Sequence, residues 1–194
     1  MSEIRQILAD VPELELLDLD EAGVTYHPDE EELEPFETFE ENANSKALYF
    51  FKKTGIPTVA DDSGLEVDAL DGRPGVRTKR FAPGDELEGT ARDLANNAYL
   101  LEKLAGLPAM DRGAQYVCVA ALATGEGEIP TFRGEAPGQV LEKGRGGGGF
   151  GYDPIILDVV SGRSFAELTA DEKNDRSHRG RAFRALGRYL RGQE

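Results

Sequence analysis

The segment Ala60-Asp61-Asp62-Ser63-Gly64-Leu65 sets two adjacent carboxylates and a hydroxyl at the end of a short apolar run that starts at Ile56. Carboxylates at a strand end can orient and deprotonate water, or ligate a hard cation. A magnesium-type ion keeps several waters, so one or two carboxylates suffice when substrate phosphates supply the remaining oxygens. The same residues also read as a turn between two strands, because Asp, Ser and Gly are all turn formers. The segment by itself leaves both readings open.

Other residues could share such chemistry. Asn42 and Lys46 are four apart on one helical stretch and so lie on one face. Residues 144–151 contain six glycines beside Arg145 and Phe150, and Tyr152, Asp153 and Pro154 come next. A loop of this kind lets backbone approach a ligand closely, since no Cβ intervenes. It matches neither the GxxxxGK[ST] nor the GxGxxG phosphate motif and reads equally as a mobile loop. Lys173, His178 and Arg179 gather about the start of the last helical stretch, where free backbone N–H groups favour anions. His178 alone reads equally as a surface histidine.

The elements that must position these residues follow from periodicity and capping. Residues 1–10 read as a helix with Ile4, Ile7 and Leu8 at helical spacing, and residues 14–19 as a strand. An acidic loop runs through Asp29, Glu30, Glu31, Glu32 and Glu34. Thr38 then caps a helix, with Glu41 completing a capping box, Ala43, Ala47, Phe50 and Phe51 forming its buried stripe, and Gly55 and Pro57 ending it. Residues 93–104 read as a helix with Leu94, Ala98, Leu101 and Ala105 on its inner side. Residues 115–124 form the clearest strand, apolar enough to be buried on both faces, and segments 131–133 and 139–141 pair with it. Thr169 and Glu172 make a second capping box, and Ser177 opens a terminal helix with Ala182, Phe183, Leu186 and Leu190 facing the core. This order predicts an α/β fold, a mixed sheet flanked by helices, in a single bilobed domain over residues 1–194.

Composition narrows the partners. A net charge of -15 argues against a nucleic-acid backbone, which needs a basic face. No apolar run approaches the roughly 18 residues that span a bilayer, and no signal-peptide pattern opens the chain, so a cytoplasmic protein without membrane contact is expected. The one cysteine, Cys118, lies in an apolar run and is expected to pack rather than react.

Four blocks stand in fixed order: Thr38-Phe39-Glu40-Glu41-Asn42-Ala43 with Lys46; Ala60 to Leu65; Gly149-Phe150-Gly151-Tyr152-Asp153-Pro154; and Ser177-His178-Arg179 after Glu172-Lys173. In these the chain resembles the inosine triphosphate pyrophosphatase family over nearly its whole length. The resemblance implies Mg²⁺-dependent hydrolysis of non-canonical purine nucleoside triphosphates (ITP, dITP, XTP) to monophosphate and pyrophosphate, by a homodimer. It implies Asp62 as catalytic base and metal ligand, with Glu34 as the second ligand. Ser63, Lys46, Lys173 and, where some members carry a phosphate-binding lysine, Lys79 match substrate contacts. Phe150, Gly151, Tyr152 and Asp153 match the loop that holds the base, and His178 and Arg179 match residues near the purine 6-keto oxygen. A site with donors from His178 or Arg179 for that oxygen and a carboxylate acceptor from Asp153 for N1–H would leave adenine mispaired.

The chain departs from the family twice. Members open with a strand and a Thr-Gly-Asn-x-x-Lys loop that binds the triphosphate, and this sequence is expected to lack both. Phe36 stands where glycine is usual. Two other readings stand beside this one: an inactive or impaired nucleotide-binding remnant of the same fold, and a Maf-like pyrophosphatase acting on modified pyrimidines, against which the last two blocks argue.

Overall fold

The computed structural model describes residues 2–25, 33–84 and 86–192; the acidic run at Asp29, Glu30, Glu31 and Glu32 lies outside them. The helices are α1 Ser2–Ile7, α2 Phe39–Thr54, α3 Gly89–Lys103, α4 Ala170–Arg176 and α5 His178–Leu190. The strands are β1 Thr58–Val67, β2 Pro74–Gly75, β3 Gly113–Ala123, β4 Thr131–Val140, β5 Ile156–Asp158 and β6 Arg163–Ser164, in hydrogen-bonded order β2-β1-β3-β4-β5-β6. The chain divides into two compact units: Met1–Ser63, Cys118–Gly134 and His178–Glu194 make the first, Gly64–Val117 and Glu135–Ser177 the second.

The α/β class is the expected one, with one refinement: the sheet is antiparallel rather than mixed. Leu65 lies opposite Gly75, Gly138 opposite Asp158 and Leu157 opposite Ser164, all antiparallel. Between β1 and β3, Glu66 meets Gln115 and Asp61 meets Cys118, so one strand's numbering falls as the other's rises. β4 succeeds β3 directly through a short connection, which returns the chain antiparallel without a helical crossover.

In the first unit, Leu8, Val11, Cys118, Ala120, Leu122, Ala182, Phe183 and Leu186 form the core. Burial of this order stabilises by about 1.5–3 kcal/mol per large side chain. α2 begins as the caps predict: Thr38 Oγ1 accepts the Glu41 N–H at 3.2 Å, and Gly55 closes the helix at φ 70°. Gly134 decides how closely α5 can approach the sheet. A Cβ there would stand 2.2 Å from the His178 carbonyl oxygen and 2.4 Å from the Ala182 nitrogen, so the first turn of α5 lies directly on β4 backbone.

In the second unit, Leu65, Val67, Leu100, Leu104, Tyr116, Val140, Ile156 and Phe165 build a separate core. Buried Arg112 donates to the carbonyls of Leu104, Val140 and Leu141, each at 2.8 Å, and so joins the end of α3 to the end of β4.

Four readings are corrected by the structure. Residues 14–19 form no strand: Leu14, Leu17 and Leu19 are exposed and the backbone there pairs with no neighbour strand. The Asp-Asp-Ser-Gly segment is no turn, because β1 runs through it extended. The inner face of α3 is polar: Arg92, Asn96 and Asn97 are buried with Leu100, while Leu94 is 64% exposed. In α5, likewise, Leu190 is exposed.

Gly134→Ala is expected to cost about 2–3 kcal/mol, because backbone rather than a side chain must give way, and to lower the melting temperature by roughly 5–10 °C. Gly125→Ala, with nothing within 4 Å of the added carbon, should change it by less than about 2 °C. Thermal melts of the two variants by circular dichroism make the comparison; equal melting would contradict the close approach at β4.

Candidate functional site

Successive side chains of an extended strand point to opposite faces, and this turns the Asp61-Asp62-Ser63 segment into two sites. On one face Ser63 Oγ donates to Asp61 Oδ2 at 3.1 Å, and the Arg179 guanidinium grips the same oxygen through Nη2 at 3.0 Å and Nε at 3.3 Å. On the other face Asp62, 7% exposed, accepts from Asn42 Nδ2 at 3.1 Å. Asn42 is locked in turn, with Oδ1 accepting the Phe36 N–H at 3.0 Å and Nδ2 donating to the Phe36 carbonyl at 3.2 Å. The residue at 36 thus contributes backbone. Its φ is not positive and its ring is exposed, so phenylalanine fits where the family usually has glycine.

Lys46 reaches up from α2, four residues past Asn42 on the same face. Its Nζ lies 2.5 Å from Glu34 Oε1, 2.5 Å from the Asp61 carbonyl oxygen and 3.7 Å from Asp62 Oδ1. One ammonium therefore serves two carboxylates. Burial raises the Asp62 carboxyl above its ordinary range and the Glu34 charge adds to this; Lys46 and the Asn42 hydrogen bond oppose without cancelling it. Burial also raises Asp61, but there the Arg179 charge and hydrogen bond, with Lys46, prevail and hold it low. Adjacent carboxylates are thus driven in opposite directions, the pattern by which one site assigns different roles to like groups. Cys118 Sγ, 3.6 Å from Asp61 Oδ2, is pushed up to about 12 by burial and by the Asp61 charge, which keeps it an inert thiol. Among the described residues, no group of three or more His, Cys, Asp or Glu side chains forms a metal cage. Glu34 and Asp62 are the carboxylates that gather about one cation.

In the second unit the glycine-rich loop is ordered around Asp153, which is 3% exposed. Its Oδ2 accepts from the Phe150 N–H at 2.9 Å and from Lys173 Nζ at 2.5 Å, and its Oδ1 from the Tyr116 hydroxyl at 3.2 Å. A Cβ at residue 149 would fall 2.1 Å from Asp153 Oδ2, and φ there is +73°, so glycine is required for the carboxylate to reach its partners. Lys173 Nζ stands 4.3 Å from the centre of the Phe150 ring, which is 67% exposed. Tyr152 is buried and donates to the Thr78 carbonyl at 2.9 Å. Lys79 is exposed on the helical turn Thr78–Arg80 and makes no ion pair with another described residue. His178 is half-buried at the first position of α5.

The structure brings Glu34, Lys46, Asp62 and Asn42 together in the first unit and Phe150, Gly151, Tyr152, Asp153 and Lys173 together in the second. Sequence reasoning named these residues but set Lys46 and Lys173 together with Ser63 as substrate contacts. It missed Asp61 and Tyr116 as holders of Arg179 and Asp153, and it missed Asp93 and Asn97, which bind the Gly151 peptide. For Asp61, strict alternation along β1 was the available signal; for α3 it was the Arg92, Asn96, Asn97 spacing, which competes with the apolar Leu94 and Ala98.

The Ham1 family model matches residues 1–189. A dITP/XTP pyrophosphatase of Frankia alni is 50% identical over 165 residues, covering 84% of this chain and 82% of the relative. One from Mycolicibacterium paratuberculosis is 44% identical over 191 residues, covering 96% and 88%. Among solved structures, a HAM1 protein from Coxiella burnetii superposes with a TM-score of 0.85 at 36% identity, covering 98% of this chain and 92% of that one.

The Asp61–Arg179 pair carries a pH signature. A carboxylate held below its ordinary value of 3.8 contributes stability above that pH and loses it as pH falls through the folded-state value. Asp61→Asn should therefore melt roughly 3–12 °C below the parent chain at pH 7, from about 1.5–3 kcal/mol for a hydrogen bond to a charged group. The gap should narrow below about pH 4. Melts from pH 2 to 7 check this; a gap independent of pH would mean that the charge is not what Asp61 contributes.

Proposed function

Because the chain belongs to the Ham1 family, we propose that it hydrolyses non-canonical purine nucleoside triphosphates, dITP, XTP and ITP, to the monophosphate and pyrophosphate. The observation that carries the reading is the buried Asp62 carboxylate, oriented by Asn42 and sharing Lys46 with Glu34. Glu34 and Asp62 suit a hard divalent cation of the magnesium type, which takes carboxylate oxygens from a protein when phosphates supply further ligands. When bound, such an ion neutralises charge on the phosphate oxygens.

This chain's own residues do the rest. Asn42 holds Asp62 Oδ2, leaving Oδ1 to orient a water and take its proton as the water oxygen bonds to the α-phosphorus. The bond from that phosphorus to the bridging oxygen breaks, and pyrophosphate leaves carrying the electron pair. Lys46 offsets the charge that gathers on the leaving group, whereas the Ser63 hydroxyl, bonded to Asp61 on the opposite face of β1, is turned from that reaction.

Phe150 offers an exposed aromatic face to the purine, backed by Lys173, and Gly151 and Tyr152 shape the loop beneath it. Asp153 already accepts three hydrogen bonds, so its part is to hold Lys173 and the Phe150 amide. Discrimination by the 6-keto oxygen falls to His178 and Arg179; Asp61 orients the latter. Residues 1–194 act as one catalytic domain, in the cytoplasm and as a homodimer. No described helix is long and apolar enough to cross a membrane.

The test is product identity. With Mg²⁺, XTP and dITP should yield equimolar monophosphate and pyrophosphate at rates well above those for ATP, and Asp62→Asn should lower turnover by about two orders of magnitude or more while melting normally. Release of single phosphate, or a folded Asp62→Asn variant of near-normal rate, contradicts the mechanism. A parent chain that binds XTP without turnover identifies a nucleotide-binding remnant instead.

A further inference from the structure

We infer that Asp93 and Asn97 on α3 are positioning residues that set the geometry of the Phe150 platform, an inference that rests on the base-holding role proposed for that loop. The two side chains are four apart and share a helix face. Asp93 Oδ2 accepts the Gly151 N–H at 2.9 Å, and Asn97 Nδ2 donates to the Gly151 carbonyl at 3.1 Å. Both polar groups of a single residue are therefore held by one rigid helix. Gly151 sits at φ +59°, where a glycine has alternative conformations at little cost. Rotation about its backbone in either direction breaks one of the two bonds.

The consequence falls on the preceding residue. The Phe150 ring is 67% exposed and has little packing of its own to fix it. Lys173 Nζ lies 4.3 Å from its centre, and the direction in which the side chain leaves the backbone is set by three contacts: the Phe150 N–H is bound to Asp153 Oδ2, its carbonyl accepts the Asp153 N–H at 3.2 Å, and the α3 clamp holds the next residue. A planar ligand stacked on that ring gains only if the ring is already oriented, because ordering it at binding would cost affinity.

Asn97 itself argues against a role in packing alone. The residue is 9% exposed, and its Oδ1 is buried without a hydrogen-bond partner among the described residues. Leaving a buried acceptor unmet costs about 1–3 kcal/mol, so a leucine of similar volume would serve the core as well or better. What leucine lacks is the donor to Gly151. Asp93, half-buried at the rim of the same face, adds a charged acceptor to match it.

Three variants of the full chain, Asn97→Leu, Asp93→Ala and Asp93→Asn, separate a positioning role from a structural one. Asn97→Leu should melt at or above the parent temperature. Yet it should raise KM for XTP about tenfold with kcat changed less than threefold, and speed hydrogen exchange at the Gly151 amide without any nucleotide present. Asp93→Ala should raise KM similarly, and Asp93→Asn, which keeps an acceptor at the same place, should restore most of it. Unchanged KM in Asn97→Leu and Asp93→Ala, or losses that track the melting temperature alone, overturn the inference. If the parent chain has no activity on XTP, the function reading has failed and not the clamp. Exchange at Gly151 then decides the clamp alone: acceleration in Asn97→Leu and Asp93→Ala supports it, and parent-like exchange overturns it.

Discussion

Two neighbouring carboxylates on one extended strand point to opposite faces, and each needs its own cation. Removing a carboxylate from water costs several kcal/mol unless a partner charge and hydrogen bonds accompany it. For Asp61 that partner is Arg179 at the start of α5; for Asp62 it is Lys46 on α2. The first unit is organised around this demand. α5 can deliver Arg179 because Gly134 admits its first turn against β4, and α2 can deliver Lys46 because Asn42, one turn earlier, is tied to Asp62 and to the Phe36 backbone. The same arrangement separates the two acids chemically. Asp61 is held ionised as an anchor for arginine, whereas Asp62 has a raised affinity for a proton and a geometry fixed by an amide.

The second unit solves a different problem, that of holding a glycine-rich loop still. Asp153 gathers three donors at its buried carboxylate, and Tyr116, one of them, has its hydroxyl proton bound more tightly by burial and by that charge. The inner face of α3 accordingly carries hydrogen-bonding residues. Arg92 donates to the carbonyls of Ala82, Gly84 and Leu87, Asn96 accepts the Ala82 N–H at 2.8 Å, and Asn97 takes the Gly151 carbonyl. Loops left without internal hydrogen bonds must find partners elsewhere, and this helix supplies them.

What could be read in the sequence was what depends on near neighbours along the chain. The Thr38 cap, the Gly55 stop, the Thr169–Glu172 capping box and the apolar run of β3 are local and were legible, as were the four blocks that carry the family resemblance. The strand through residues 61–64 was not, because Asp and Gly disfavour strands and the chief partner of an extended Asp61, Arg179, lies 118 residues away. α3 was misread for the converse reason. Its apolar residues are periodic, but the face turned inward is chosen by loop carbonyls outside the helix, from Leu87 just ahead of it to Gly151, 54 residues from Asn97. Residues 14–19, Leu-Glu-Leu-Leu-Asp-Leu, are rich enough in leucine to read as a strand, but form none. Phe36 stands where the resemblance led one to expect glycine, and the backbone bonds to Asn42 leave its exposed side chain out of that contact.

The central claim is that Asp62 directs water to the α-phosphorus. The most direct measurement is hydrolysis of XTP in ¹⁸O-labelled water with the products separated by mass. Attack at the α-phosphorus places the label in the nucleoside monophosphate and leaves the pyrophosphate unlabelled. Label in the pyrophosphate, or in free phosphate, would show that water enters at another phosphorus and contradict the account.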